Sequence, residues 1–135
     1  MNYLKSKLIN IAIEARQFSH SPYSNKKIGA VIQLDNGKIF SGCNIENASY
    51  GGTVCAERVA IWKAYSENKL PIKIKTVVVS SDETSPWPPC GLCRQVIAEF
   101  ATLDTEIILV NLEKKEINLK FSEVFPFAFE PKHLA

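Results

Sequence analysis

Two apolar runs limit the fold of this chain more than any other feature. Val77-Val78-Val79 lies within Lys75 to Ser81, and Ile107-Ile108-Leu109-Val110 lies within Glu106 to Leu112. Runs without polar alternation mark strands covered on both faces. The stretch between them from Cys90 to Phe100 has the length of a helix. Strand, helix and strand in that order form a crossover unit, whose two strands lie parallel and adjacent. A sheet built around such a pair needs helices on both faces.

The remaining elements fit this frame. Leu4, Leu8, Ile11 and Ala15 recur at helical spacing between Tyr3 and Arg16. Ile28 to Leu34 and Lys38 to Asn44 read as a hairpin around the tight-turn signal Asp35-Asn36-Gly37. Ile45 to Thr53 reads as a loop. Cys55 to Glu67 predicts a helix with Ala56, Val59, Ala60 and Ala64 on one stripe. The prolines of Asp82 to Pro89 exclude regular structure and prepare a helix start. Glu116 to Lys120 predicts one more short strand. The expected class is α/β: a three-layer α/β/α arrangement with a mixed five-stranded sheet, in one domain spanning residues 1–135.

Composition narrows the function. A length of 135 residues, 46% of them apolar, suits one packed core without disulfides. The net charge of +2 is carried by scattered lysines, whereas nucleic-acid binding calls for clustered cations. No nucleic-acid partner is expected. Charged residues interrupt the N-terminal stretch, so it does not read as a secretory signal. No apolar run is long enough to span a membrane. The expected location is the cytoplasm, where thiols stay reduced. The four cysteines then point to metal binding or catalysis.

Two segments carry the chemistry: Thr53-Val54-Cys55-Ala56-Glu57-Arg58 and Pro89-Cys90-Gly91-Leu92-Cys93-Arg94-Gln95. Each sits at an expected helix start. Unpaired N–H groups there stabilise thiolates, and thiolate is the form that binds zinc. Cys55, Cys90 and Cys93 supply three ligands, leaving the fourth position for water, as in a catalytic rather than a structural site. Zinc lowers the pKa of such a water to roughly 7. Glu57, two residues after Cys55, is placed to move protons without ligating. Three thiolates on one divalent ion leave a net negative charge, so Arg58 and Arg94 are expected to donate to the sulfurs. Taken singly, each residue has a plainer reading. The C-x-x-C could be a redox dithiol, Glu57 a solvated acid in a first helical turn, and Arg58 and Arg94 surface residues. Cys43 reads as a small core residue or as a fourth ligand that would close a structural site. His20 and His133 lack ligand spacing.

The combined motifs resemble the cytidine deaminase family, in particular its small homotetrameric branch with three cysteine ligands. The resemblance covers Pro22-Tyr23-Ser24, Ile28-Gly29-Ala30, Ser41 to Gly51, Thr53 to Ala60, Pro89 to Gln95, and Ala128-Phe129-Glu130-Pro131. It implies one Zn2+ per subunit and hydrolysis of cytidine or deoxycytidine to the uracil nucleoside and ammonia, a step of pyrimidine salvage. It further implies that Asn44 and Glu46 bind the sugar hydroxyls and that Ala56 offers backbone groups to the base edge. Phe129 would stack on the base in a neighbouring subunit's site, with Ala48 and Tyr50 near the subunit contacts. Read without the resemblance, Asn44 and Glu46 are ordinary turn formers, and the phenylalanines of the tail pack on their own core.

Two positions depart from the family pattern. Lys26 stands where phenylalanine is usual, and Trp87-Pro88 stands where a small residue is common before Pro89. Both bear on substrate choice. They leave open a deaminase of another cytosine compound, such as a nucleoside antibiotic or a modified cytidine. A polynucleotide cytosine deaminase conflicts with a site that binds an open ribose diol. A non-catalytic structural zinc module requires Cys43 as the fourth ligand.

Overall fold

The computed structural model describes residues 2–69 and 71–135. Helix α1 (Tyr3–Ala15) starts at Asn2, whose side chain accepts from the Lys5 N–H at 3.2 Å, a normal N-cap. Strands β1 (Gly29–Leu34) and β2 (Ile39–Cys43) form the expected antiparallel hairpin. Gly37 sits in its turn at φ +90°, where side-chain-bearing residues are strained. Helix α2 (Ala56–Glu67), strand β3 (Ile74–Ser81), helix α3 (Gly91–Phe100), strand β4 (Ala101–Asn111) and strand β5 (Glu116–Lys120) follow, and a four-residue helix α4 (Phe121–Val124) comes after β5.

The five strands lie in the order β2-β1-β3-β4-β5. β3 and β4 pair in parallel through the α3 crossover, and the other neighbours are antiparallel. The apolar runs divide by parity, as pleating requires. Val31, Val78, Ile108 and Val110 face α1. Ile32, Val77, Val79, Ile107 and Leu109 face α2, α3 and α4. The layering is therefore the expected α/β/α. Among the described residues, no helix is long and apolar enough to cross a membrane.

Three local readings are corrected by packing. The buried face of α1 is Leu8, Ile9, Ala12 and Ala15, whereas Leu4 and Ile11 are only partly covered. The helix turns so that the Ala12 carbonyl reaches into the sheet, where the buried Ser80 hydroxyl donates to it at 2.7 Å. A strand beginning at Glu106 was expected, but β4 begins at Ala101. Its pairing to β3 jumps from Ile74↔Ala101 to Thr76↔Glu106. Thr105 bridges that jump, accepting from the Thr102 N–H and donating to the Ile74 carbonyl. Helix α4 was not anticipated. It buries Phe121 and Val124 against the core shared with β4.

Small residues bring α2 close to the sheet. Ala56, Ala60 and Ala64 are fully buried. A side chain at Gly42 of β2 would meet the Ala56 carbonyl at 2.6 Å and the Ala60 nitrogen at 2.7 Å. This contact seats the first turn of α2, and that turn carries the chemistry.

Candidate functional site

Cys55 is the N-cap of α2 and Cys90 is the N-cap of α3. Cys93 lies one turn into α3 and is buried. The crossover places both helix starts at the same end of the sheet, and the three sulfurs lie within 4.8 Å of one another. Cys55 Sγ and Cys90 Sγ are 3.6 Å apart. Tetrahedral zinc with sulfurs at about 2.3 Å holds them about 3.8 Å from each other, so the trio fits such an ion. Cys43 lies outside this cluster among the described residues. It lines a separate groove with Phe18, Val59 and Lys63, and burial raises its thiol pKa against the opposing effect of Lys63.

The protons of the trio are unevenly shared. Hydrogen bonds to Cys55, from Cys93 first and then from Arg58 and Cys90, hold its thiol at about 5 against the cost of burial. Cys93 is pushed upward because it is the donor to Cys55 and because it is buried. A divalent cation replaces that proton and takes all three sulfurs as thiolates.

Arg58 reaches one of the sulfurs. Its Nη2 donates to Cys55 Sγ at 3.5 Å, and its guanidinium stands 5.9 Å from the Trp62 ring centroid. Its Nε is buried without a partner. An unpartnered cationic donor beside the sulfurs suits a donor set that carries excess negative charge. Arg94 departs from its expectation. Its Nε donates to the Pro89 carbonyl and its Nη1 to the Val124 carbonyl, both at 2.8 Å. It pins the loop before Cys90 to the end of α4, because those carbonyls lie within its reach and outcompete weakly accepting sulfur.

Glu57 is buried in the first turn of α2, with 3% of its surface exposed. Burial, reinforced by the charge of Cys55, pushes its carboxyl up to about 7. A carboxyl in that range both takes and gives protons at neutral pH.

A second group of candidates gathers around β2 and the loop after it. The buried Asn44 accepts through Oδ1 from Ser19 Oγ at 2.5 Å and from the Ile28 N–H at 2.9 Å, and donates from Nδ2 to the Lys26 carbonyl at 2.7 Å. One Nδ2 hydrogen remains free of these bonds. Glu46 accepts from the N–H groups of Tyr23 and Ser24 and from the Ser24 hydroxyl. These donors, the Ser24 hydroxyl first, hold its carboxyl below the usual range. Tyr50 packs edge-on against Tyr23, and Ala48, two residues earlier in the chain, is exposed. Ala56 is buried as the first residue of α2. Phe129 is half exposed and stacks on His133, and its carbonyl accepts from Gln95 Nε2 of α3 at 2.8 Å.

Lys26 does not project freely. Its ammonium pairs with Glu83 at 2.7 Å and stands 5.6 Å from the Trp87 ring centroid. The two departures seen in the sequence are thus neighbours. Glu83 was not singled out in the sequence; the simultaneous change at positions 26 and 87 was the only hint of a link.

Comparison with known proteins agrees with a zinc-binding region in this chain. Residues 3–109 match the family model described as the cytidine and deoxycytidylate deaminase zinc-binding region. A cytidine deaminase of Halalkalibacterium halodurans is 45% identical over 122 residues, which cover 90% of this chain and 91% of that protein. One from Sporosarcina psychrophila is 40% identical over 129 residues, covering 96% and 93%. The crystal structure of a cytidine deaminase from Burkholderia pseudomallei superposes with a TM-score of 0.87 at 37% identity, covering 96% of this chain and all of that one.

Replacing Arg58 with Met should weaken zinc binding about tenfold while leaving the fold intact, the usual scale for losing a group that supports a ligand. Competition with a chromogenic chelator measures this. An unchanged affinity would remove Arg58 from the account of the metal centre.

Proposed function

The chain belongs to the cytidine and deoxycytidylate deaminase family, and from that premise we propose that it hydrolyses cytidine or deoxycytidine to uridine or deoxyuridine and ammonia. The observation that carries the proposal is the buried Glu57 beside three convergent cysteine sulfurs. Cys55, Cys90 and Cys93 would hold one zinc per subunit, whose Lewis acidity brings the pKa of a water to roughly 7. Glu57 accepts a proton from the attacking water and delivers it to the ring nitrogen as the C4–O bond forms. It then assists the second transfer, to the exocyclic nitrogen, as the C4–N bond breaks and ammonia departs. The helix start favours the thiolate of Cys55, the bound cation would take all three sulfurs as thiolates, and Arg58 offsets the surplus charge.

Asn44 and Glu46 are proposed to hold the sugar. The remaining Nδ2 hydrogen of Asn44 can donate to one hydroxyl. Glu46 has acceptor capacity left beyond its three donors and can accept from the other. The backbone of Ala56 is proposed to meet the base edge next to Glu57. Pairing with Glu83 neutralises Lys26, which disfavours a free cation reaching into the site for a different substrate.

A homotetramer with shared sites is also proposed. Tyr50, Trp62, Tyr65, Phe127 and Phe129 are exposed on the single chain, apolar surface that subunit contacts would cover. Phe129 would complete a neighbouring subunit's site, with Ala48 and Tyr50 near the contact. The proposed setting is cytoplasmic pyrimidine salvage, by one domain spanning the chain. Light scattering on the purified protein should give four times the 15.1 kDa chain mass; a monomer mass would contradict shared sites.

Glu57→Gln should retain zinc and lose turnover by about 10²–10⁴-fold. Ammonia release and metal content measured on the same preparation test this. The wild-type panel includes cytidine, deoxycytidine, base-modified cytidines and single-stranded nucleic acid. Unchanged turnover in the variant would overturn the role of Glu57, and activity confined to the last two substrate classes would overturn the substrate assignment.

A further inference from the structure

Two loops meet at Lys26 through groups that the deamination chemistry does not use. On one side, the Lys26 carbonyl accepts from Asn44 Nδ2 at 2.7 Å. Its N–H donates to Ser24 Oγ at 3.0 Å, and that hydroxyl in turn donates to Glu46. The backbone of Lys26 is thereby tied to both residues assigned to the sugar. On the other side, its ammonium lies 2.7 Å from Glu83 Oε1 and 5.6 Å from the centroid of the Trp87 ring.

The second loop is itself fixed. Asn111 Nδ2 donates to the carbonyls of Glu83 and Thr84 at 3.1 and 3.2 Å. The Trp87 N–H donates to Ser81 Oγ at 3.2 Å. Pro88 and Pro89 restrict φ between Trp87 and Cys90. A continuous chain of contacts therefore runs from Asn44 and Glu46, through Lys26 and Trp87, to a metal ligand.

The Lys26 side chain is half exposed. An ion pair in that position adds little to stability, and a cation over an exposed indole adds modestly more. The contact matters through geometry, because it spans the two halves of the site.

We propose that Lys26, Glu83 and Trp87 form a positioning latch, which sets the spacing between the sugar-binding residues and Cys90 and so determines substrate affinity. This rests on the nucleoside deaminase reading. Lys26 and Trp87 act through other residues and touch no reacting atom.

The test is steady-state deamination of cytidine by Lys26→Met, Glu83→Gln, Trp87→Ala and the Lys26→Met/Trp87→Ala double variant, with zinc content and thermal midpoint recorded for each. KM should rise roughly five- to tenfold in each single variant, with kcat within about twofold. The double variant should do no worse than the stronger single, since one linkage is broken only once. Lys26→Arg and Trp87→Phe keep a cation over a ring and should restore KM. Unchanged KM, independent multiplication of the two effects, or loss of zinc together with kcat would each overturn the latch.

A second readout needs no turnover. In a Trp62→Phe background, Trp87 is the only remaining indole of the two in the chain. Its emission and quencher access should change on Lys26→Met and on Glu83→Gln. Absence of change in both overturns the latch. Should the wild type release no ammonia from any cytosine nucleoside, the functional reading fails, and the fluorescence result alone decides whether the latch exists.

Discussion

Two thiolates 3.6 Å apart, as Cys55 and Cys90 would be, repel each other by about 5 kcal/mol at the effective dielectric of a protein surface. Cys93 brings a third sulfur within 4.8 Å of both. One charge-assisted hydrogen bond, worth about 1.5–3 kcal/mol, cannot offset three such repulsions. Without a cation, the trio therefore keeps protons between its sulfurs, with Cys55 ionised and Cys93 protonated. With a divalent cation all three become ligands. Much of the surrounding structure answers this charge: two helix N-termini point at it, Arg58 leans on it, and Glu57 lies buried beside it.

The fold delivers these groups by short, stiff connections. Helix α2 lies tight on β2 because Gly42 and three alanines leave no side chains between them. That fixes Cys55 and Glu57, two residues apart in sequence, together at the start of α2. The β3–α3–β4 crossover brings Cys90 and Cys93 to the same end of the sheet. Arg94 holds the loop before Cys90 to the carbonyl at the end of α4, so the unexpected short helix serves the metal ligands indirectly.

Much of this was legible in the sequence where a local rule applies. The valine run and its partner gave the parallel pair, Asp35-Asn36-Gly37 gave the hairpin, and the cysteines at helix starts gave the metal centre. Other features depend on tertiary placement. Helix α4 is too short to show a period. The face of α1 turns toward Ser80, which no spacing within α1 reveals. Arg94 sits where a sulfur-directed arginine would sit, and only the carbonyls of Pro89 and Val124 show otherwise. Lys26 and Trp87 each stood out as a departure, but their contact joins loops with no periodicity to align them. Asn44 reads in the sequence as an ordinary turn former, whereas its side-chain oxygen accepts from Ser19 and Ile28.

The central claim is that three cysteine thiolates hold the zinc and leave one position for a light atom. Zinc-edge X-ray absorption on the purified protein tests it most directly. Three sulfur neighbours at about 2.3 Å and one oxygen neighbour at about 2.0 Å are predicted. Four sulfurs would bring Cys43 into the shell and make the centre structural, and that result would contradict the catalytic account.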